Sequence, residues 1–163
     1  MNYIYIGDIV NTHGIKGEVR VLSKFKYKEA VFKKNIDVYV GKNKDKLTIN
    51  TYRYHKIFDM LTFYGIDNIN DVLKYKGLKL YAKKEDIKIN GYFDEDLIGL
   101  DAYVKEKNIG KVTNIMKNGT QDILVIEGKK RNLIPNVDAF IKKIDIKENK
   151  IYINEIEGLI NED

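Results

Sequence analysis

A chain of 163 residues, 44% hydrophobic and 33% charged, has room for one ordinary domain or two small ones and is too apolar to be a disordered chain. It has no cysteine, which excludes disulfides, thiolate nucleophiles and cysteine-based zinc sites together, and no apolar run reaches the roughly 18 residues of a membrane span. The net charge of +5 is unevenly spread: residues 1–88 hold 18 Lys and Arg against 10 Asp and Glu, residues 89–163 hold 11 against 14. In chain order the predicted elements are mostly strands. Residues 3–10 (YIYIGDIV) open with bulky side chains on both faces, and lack the basic and apolar regions of a signal peptide. Residues 17–25 alternate, with Val19 and Val21 on one face and Glu18 and Arg20 on the other. Residues 36–40, 46–54 and 59–66 follow, each rich in β-branched or aromatic residues, with a polar turn at 41–46.

One short helix is predicted over 67–77 (DNINDVLKYKG). Asp67 or Asn68 caps it, Ile69, Val72, Leu73 and Lys76 have helical spacing, and Gly77 sits where a left-handed residue ends a helix. A strand at 78–84 returns. The charge balance changes sign within 84–92, which reads as a linker. Further strands are expected at 97–105, 108–116, 122–127 and 131–135, then a hairpin over 143–154 turning at Glu148-Asn149. Many short strands favour closed sheets, because closure removes exposed edges. The expected fold is all-β with one or more short helices, arranged as two tandem small β-barrels. Its divisions are a basic barrel at 1–84, a linker at 85–91 and a mildly acidic domain at 92–163.

The stretch at 6–22 (IGDIVNTHGIKGEVRVL) has the look of an active site, but its spacing is wrong for one. Gly17 is followed by Glu18 and then by a strand, so neither a P-loop nor a helix N-terminus is available to hold phosphate. His13 has no second ligand at a metal-binding interval, and His55 stands remote in sequence. Gly14 and Gly17 suit a bend between strands. His13, Lys16 and Arg20 would be presented there, either to phosphates and sugars or simply as a solvated rim. In the second half, Asp94, Glu95 and Asp96 lack the spacing of a calcium loop. The adjacent rings of Tyr92 and Phe93 could anchor a protein partner or enter the domain's own core. Gly119 is expected to close a turn at 117–120, and Pro135 to end a strand. Nothing in this inventory is a catalytic, metal or cofactor signature, and an enzyme is not expected. A basic half suits phosphates and an acidic half suits a basic protein, although drift in two ordinary surfaces would give the same balance.

Four segments in order resemble the RimM family of bacterial ribosome maturation factors. They are GDIVNTHGIKGEVRV (7–21), GIDNINDVLKYKGLKLYA (65–82), YFDEDLIGL (92–100) with IGKV (109–112), and GTQDILVI (119–126) with LIP (133–135) and EGLI (157–160). The resemblance implies a six-stranded barrel like those of translation factors, followed by a PRC-barrel. It also implies a cytoplasmic, non-enzymatic, monomeric chaperone of ribosome biogenesis, needing no cofactor. Such a factor assists assembly of the head of the small ribosomal subunit and small-subunit rRNA processing. The implied partners are small-subunit rRNA, with His13, Lys16 and Arg20 as contact candidates, and ribosomal protein S-nineteen. The family's aromatic pair, usually Tyr-Tyr, falls on Tyr92 and Phe93, with Asp94 and Asp96 beside it. Phe93 lacks a hydroxyl, and Asn136 stands where the family often has Phe.

Overall fold

The computed structural model of the protein describes residues 2–118 and 121–155. The expected turn at Gly119 and the terminal EGLI lie outside these residues. The chain divides into two compact units, Met1–Asn90 and Gly91–Asp163.

The first unit contains β1 (Tyr3–His13), β2 (Glu18–Leu22), β3 (Asp37–Val40), β4 (Asp45–His55), β5 (Phe58–Phe63) and β6 (Lys79–Lys83). They close into a barrel in the order β1-β2-β5-β4-β3-β6, with β6 pairing back onto β1. Period-two patterning builds it. Val19 and Val21 of β2, Val38 and Val40 of β3, and Leu80 and Ala82 of β6 are fully or almost fully buried, while their neighbours in sequence alternate outward, Tyr39 beneath other side chains. The long strands β1 and β4 each pair on two sides, and register shifts between Ile9 and Asn11 and between Ile49 and Thr51 let them bend round the barrel.

Several local expectations are corrected. The predicted helix at 67–77 is two 3₁₀ turns, Ile69–Asp71 and Leu73–Tyr75. Its buried residues, Val72 and Tyr75, are three apart, which suits three residues per turn, and Leu73 is exposed. The backbone is also spent on the barrel, with Ile69 N–H bonded to the Ile15 carbonyl (2.9 Å) and Gly77 N–H to that of Ile9 (2.6 Å). Asn68 does cap the first turn, accepting from the Asn70 N–H at 2.8 Å, and Gly77 has a φ of +85°. Secondly, a short helix, α1 (Lys28–Val31), was not foreseen in the loop after β2. It buries Val31, and the following Phe32 stacks on Tyr52 with centroids 6.0 Å apart. Thirdly, residues 97–100 are not strand. A helical turn, α2 (Asp94–Leu97), takes in the first of them, its three acidic residues lying in the first turn where the helix dipole favours them.

The second unit contains β7 (Asp101–Val104), β8 (Lys107–Asn118), β9 (Gln121–Glu127), β10 (Arg131–Pro135), β11 (Ile141–Asp145) and β12 (Lys150–Ile153). They form one sheet in the order β10-β9-β8-β7-β12-β11, with β7 and β12 parallel. Ile134 from one end strand and Ile141 and Ile144 from the other pack on the same cluster, with Leu100, Val112, Leu124, Ile126 and Ile151 at its centre. The sheet therefore curls round a single core. Pro135 ends β10, an edge strand where its missing N–H leaves no interior ladder bond unmade. The β11–β12 connection is four residues, 146–149, rather than two, with Asn149 at φ +58° and its side-chain amide donating to the Gly99 carbonyl at 3.1 Å.

Candidate functional site

The β1–β2 connection places the first group of candidates. Gly14 and Gly17 have φ of +69° and +95°, and a Cβ on Gly17 would lie 2.9 Å from Ile66 Cγ2, so a side chain there would meet both strain and contact. Lys16 is exposed in this turn. His13 and Arg20 are brought together: Arg20 Nη2 donates to His13 Nδ1 at 2.7 Å. Arginine only donates, so Nδ1 is the acceptor and this imidazole carries its proton on Nε2. The guanidinium also lies 5.6 Å over the Phe58 ring, and Arg20 Nε is buried without a hydrogen-bond partner.

His55, read as remote from His13, is its neighbour, with ring centroids 6.1 Å apart. Sequence separation misled because β4 and β5 form a tight hairpin in which His55 faces Phe58 across Lys56 and Ile57. Lys56 takes a φ of +59°, so this turn lacks the Gly or Asn that announces such a connection. Arg53 and Glu18 complete the cluster through two hydrogen bonds of 2.8 and 2.9 Å. These bonds and the Arg53 charge, aided by His13 and His55 and opposed by burial, hold the Glu18 carboxyl below its usual range. Arg20 and Arg53 both stand in register with Met60, which is fully buried although its neighbours Asp59 and Leu61 take the inward positions. The polar cluster thus roofs an apolar residue on the outer face of the barrel, and its arginine stems cover Met60.

In the second unit the aromatic pair divides. Tyr92 is 37% exposed, whereas Phe93 is 9% exposed. The Asp96 carboxylate accepts from the Phe93 N–H at 3.3 Å, which fixes the start of α2. Lys117 Nζ sits 2.6 Å from Asp94 and 3.1 Å from Asp122. Burial pushes the Lys117 ammonium down, but the two carboxylates outweigh it and its pKa is raised. Asp94 is therefore an ion-paired carboxylate beside an exposed tyrosine. Gly110 was not singled out by sequence reasoning beyond its motif. Its φ is +134°, and a Cβ there would lie 2.3 Å from the Glu127 carbonyl oxygen.

A basic closed barrel and a second curled sheet, each carrying aromatic rings beside paired charges, define a two-domain all-β protein. The RimM N-terminal domain model matches residues 4–87 and the RimM PRC barrel domain model residues 94–159. The chain belongs to the RimM family. It is 40% identical over 171 residues to the ribosome maturation factor RimM of Exiguobacterium sp., covering 100% of this chain and 99% of that protein. It is 41% identical to that of Staphylococcus haemolyticus, covering 97% and 99%. Among solved structures, a Pseudomonas aeruginosa RimM described as a 16S ribosomal RNA processing protein aligns with a TM-score of 0.44 at 17% identity, over 95% of this chain and 98% of that one. The N-terminal domain of RimM from Thermus thermophilus aligns with a TM-score of 0.47 at 17% identity, over 55% and 98%.

Proposed function

We propose that this chain is a maturation factor of the small ribosomal subunit that acts by binding, without catalysis. The observation that carries this reading is the match of both units, in order and over the full chain, to proteins named ribosome maturation factors. Its first unit, with 18 basic against 10 acidic residues, contacts small-subunit rRNA. Lys16 reaches phosphate from the β1–β2 turn, while the 2.7 Å bond to His13 holds Arg20 in place and leaves His13 Nε2 to donate. Its second unit holds ribosomal protein S-nineteen in the subunit head. There Tyr92 supplies the exposed ring, Asp94 and Asp96 the complementary charge, and buried Phe93 fixes the orientation of the segment. Holding a ribosomal protein and its rRNA site together while the head folds, and so promoting rRNA processing, requires no group transfer. The protein works as a cytoplasmic monomer.

The test is calorimetric titration of the full chain with ribosomal protein S-nineteen at two salt concentrations. Saturable one-to-one binding that weakens only modestly with salt, and that falls at least about tenfold in Tyr92→Ala, is expected of an aromatic anchor. Phe93→Ala should instead lower thermal stability. Binding that vanishes with added salt, or that is indifferent to Tyr92, would show an acidic surface attracting a basic protein indiscriminately.

A further inference from the structure

On the opposite side of β1 from the His13–Arg20 cluster, the barrel carries a second outer face formed by β1, β6 and β3. Lys79, Tyr81 and Lys83 alternate with the buried Leu80 and Ala82, so all three point outward. The register then builds a row across three strands, with Tyr81 directly opposite Tyr5 on one side and Tyr39 on the other. Tyr3 stands opposite Lys83 in the next row. The rings are locked edge to face: Tyr5 and Tyr81 at 6.2 Å, Tyr3 and Tyr39 at 5.2 Å. Tyr5 is 48% exposed. Its hydroxyl donates to Asp8, which, with burial, pushes it up to about 12, so the ring stays neutral and the carboxylate is engaged.

Ammonium groups lie over these rings. Lys44 Nζ is 4.2 Å from the Tyr81 centroid and 5.3 Å from that of Tyr3, Lys79 Nζ is 5.4 Å from Tyr5, and Lys83 Nζ is 6.0 Å from Tyr3. This interleaving of flat rings and lysines is the chemistry that single-stranded nucleic acid needs, since bases stack on the rings and phosphates take the cations. A lysine on its flexible stem can leave the ring face to a base and follow the adjoining phosphate.

We propose that this tyrosine–lysine face is a second RNA site, which binds a single-stranded RNA segment by stacking bases on Tyr5 and Tyr81 while Lys44, Lys79 and Lys83 take its phosphates. It rests on the reading of the first unit as an RNA-contacting domain, and adds to it a site and a strand state. A duplex keeps its base faces covered and would gain from the lysines alone.

The experiment is fluorescence anisotropy of a fluorescein-labelled ten-nucleotide oligoadenylate with the full chain, against a duplex of equal length and against polyglutamate as competitor. Expected are preference for the single strand and at least about tenfold weaker binding by the charge-neutral Tyr5→Leu/Tyr81→Leu variant. The Lys44→Gln/Lys79→Gln/Lys83→Gln variant should lower the slope of log affinity against log salt by about 2. If the tyrosine variant has a lowered melting temperature, the lysine variant's salt slope decides. The proposal is overturned if the oligonucleotide does not bind, if the folded tyrosine variant binds as the parent does, if the lysine variant keeps the parent slope, or if duplex or polyglutamate binds equally well. The last result would mark a general polyanion or acidic-protein surface. Binding of the same variants to the small ribosomal subunit is measured alongside. Subunit binding without oligonucleotide binding would sink this site and leave the maturation reading standing; the reverse would do the opposite.

Discussion

At the scale of single residues, charge pairing is more consequential than charge count. Glu18 and Arg53 lie 35 positions apart, yet their two short bonds lower the Glu18 pKa, and Arg53 is raised in turn by the same bonds. A depressed carboxylate adds stability that is fully present above its unfolded pKa, about 4.3, and is lost as pH falls through its folded value. Glu18→Gln should therefore lower stability at pH 7 by less than about 1 kcal/mol, because Arg53 is half exposed. The difference from the parent should shrink below about pH 4.3 and vanish in stronger acid. Urea unfolding of both proteins at pH 7 and pH 3 measures it; a gap that widens in acid would refute the pairing. Gly110 shows how little a residue reveals alone. Its neighbours read as an ordinary strand, and it is the positive φ together with the approach of the Glu127 carbonyl that makes a side chain impossible there.

At the scale of elements, α1 is held by a buried charge. Asp59 is fully buried at an inward position of β5, where it accepts from the Tyr52 hydroxyl at 2.7 Å and pairs with Lys28 of α1 at 2.9 Å. Burial, the hydrogen bond to Asp59 and its charge together raise the Tyr52 pKa, so the phenol stays a donor. Lys28→Met would leave the carboxylate buried without its counter-ion, at about 2–3 kcal/mol once the one-third exposure of Lys28 is allowed for. Adding Asp59→Asn should recover part of that loss. Equilibrium unfolding of the two single variants and the double variant tests this, and additive losses would mean the pair is not coupled. The β-branched and aromatic content of 59–66 located this strand, observed at Phe58–Phe63, yet had no means of assigning Asp59 to the inside. A carboxylate breaks the hydrophobic period, and its partner lies in a helix that no local signal announced. The β4–β5 hairpin and the 3₁₀ turns were missed for a related reason: tertiary hydrogen bonds at Ile15 and Ile9, and a lysine forced into positive φ, overrode local preference.

At the scale of the whole molecule, two units of opposite charge bias divide the proposed work. A basic barrel that neutralises several phosphates should make binding of the full chain to the small ribosomal subunit fall steeply with salt. The contact with S-nineteen proposed for the second unit, centred on Tyr92, should be far less sensitive. Filter binding to the subunit between 50 and 200 mM salt, roughly the range over which phosphate contacts weaken, separates the two; a flat profile would argue against rRNA contact by the first unit.

The sequence by itself determined the strand-rich class, the six strands of each half and the change of charge sign near residue 88, because alternation and composition are properties of neighbours along the chain. It also carried the family, through motifs spread over both halves. Only the tertiary structure decided which of Tyr92 and Phe93 faces solvent, that His13 meets Arg20 and His55, and that Tyr5, Tyr39 and Tyr81 form one row. The last two facts depend on which strands pair and in what register, and register is set by the closure of the whole barrel rather than by any segment of it.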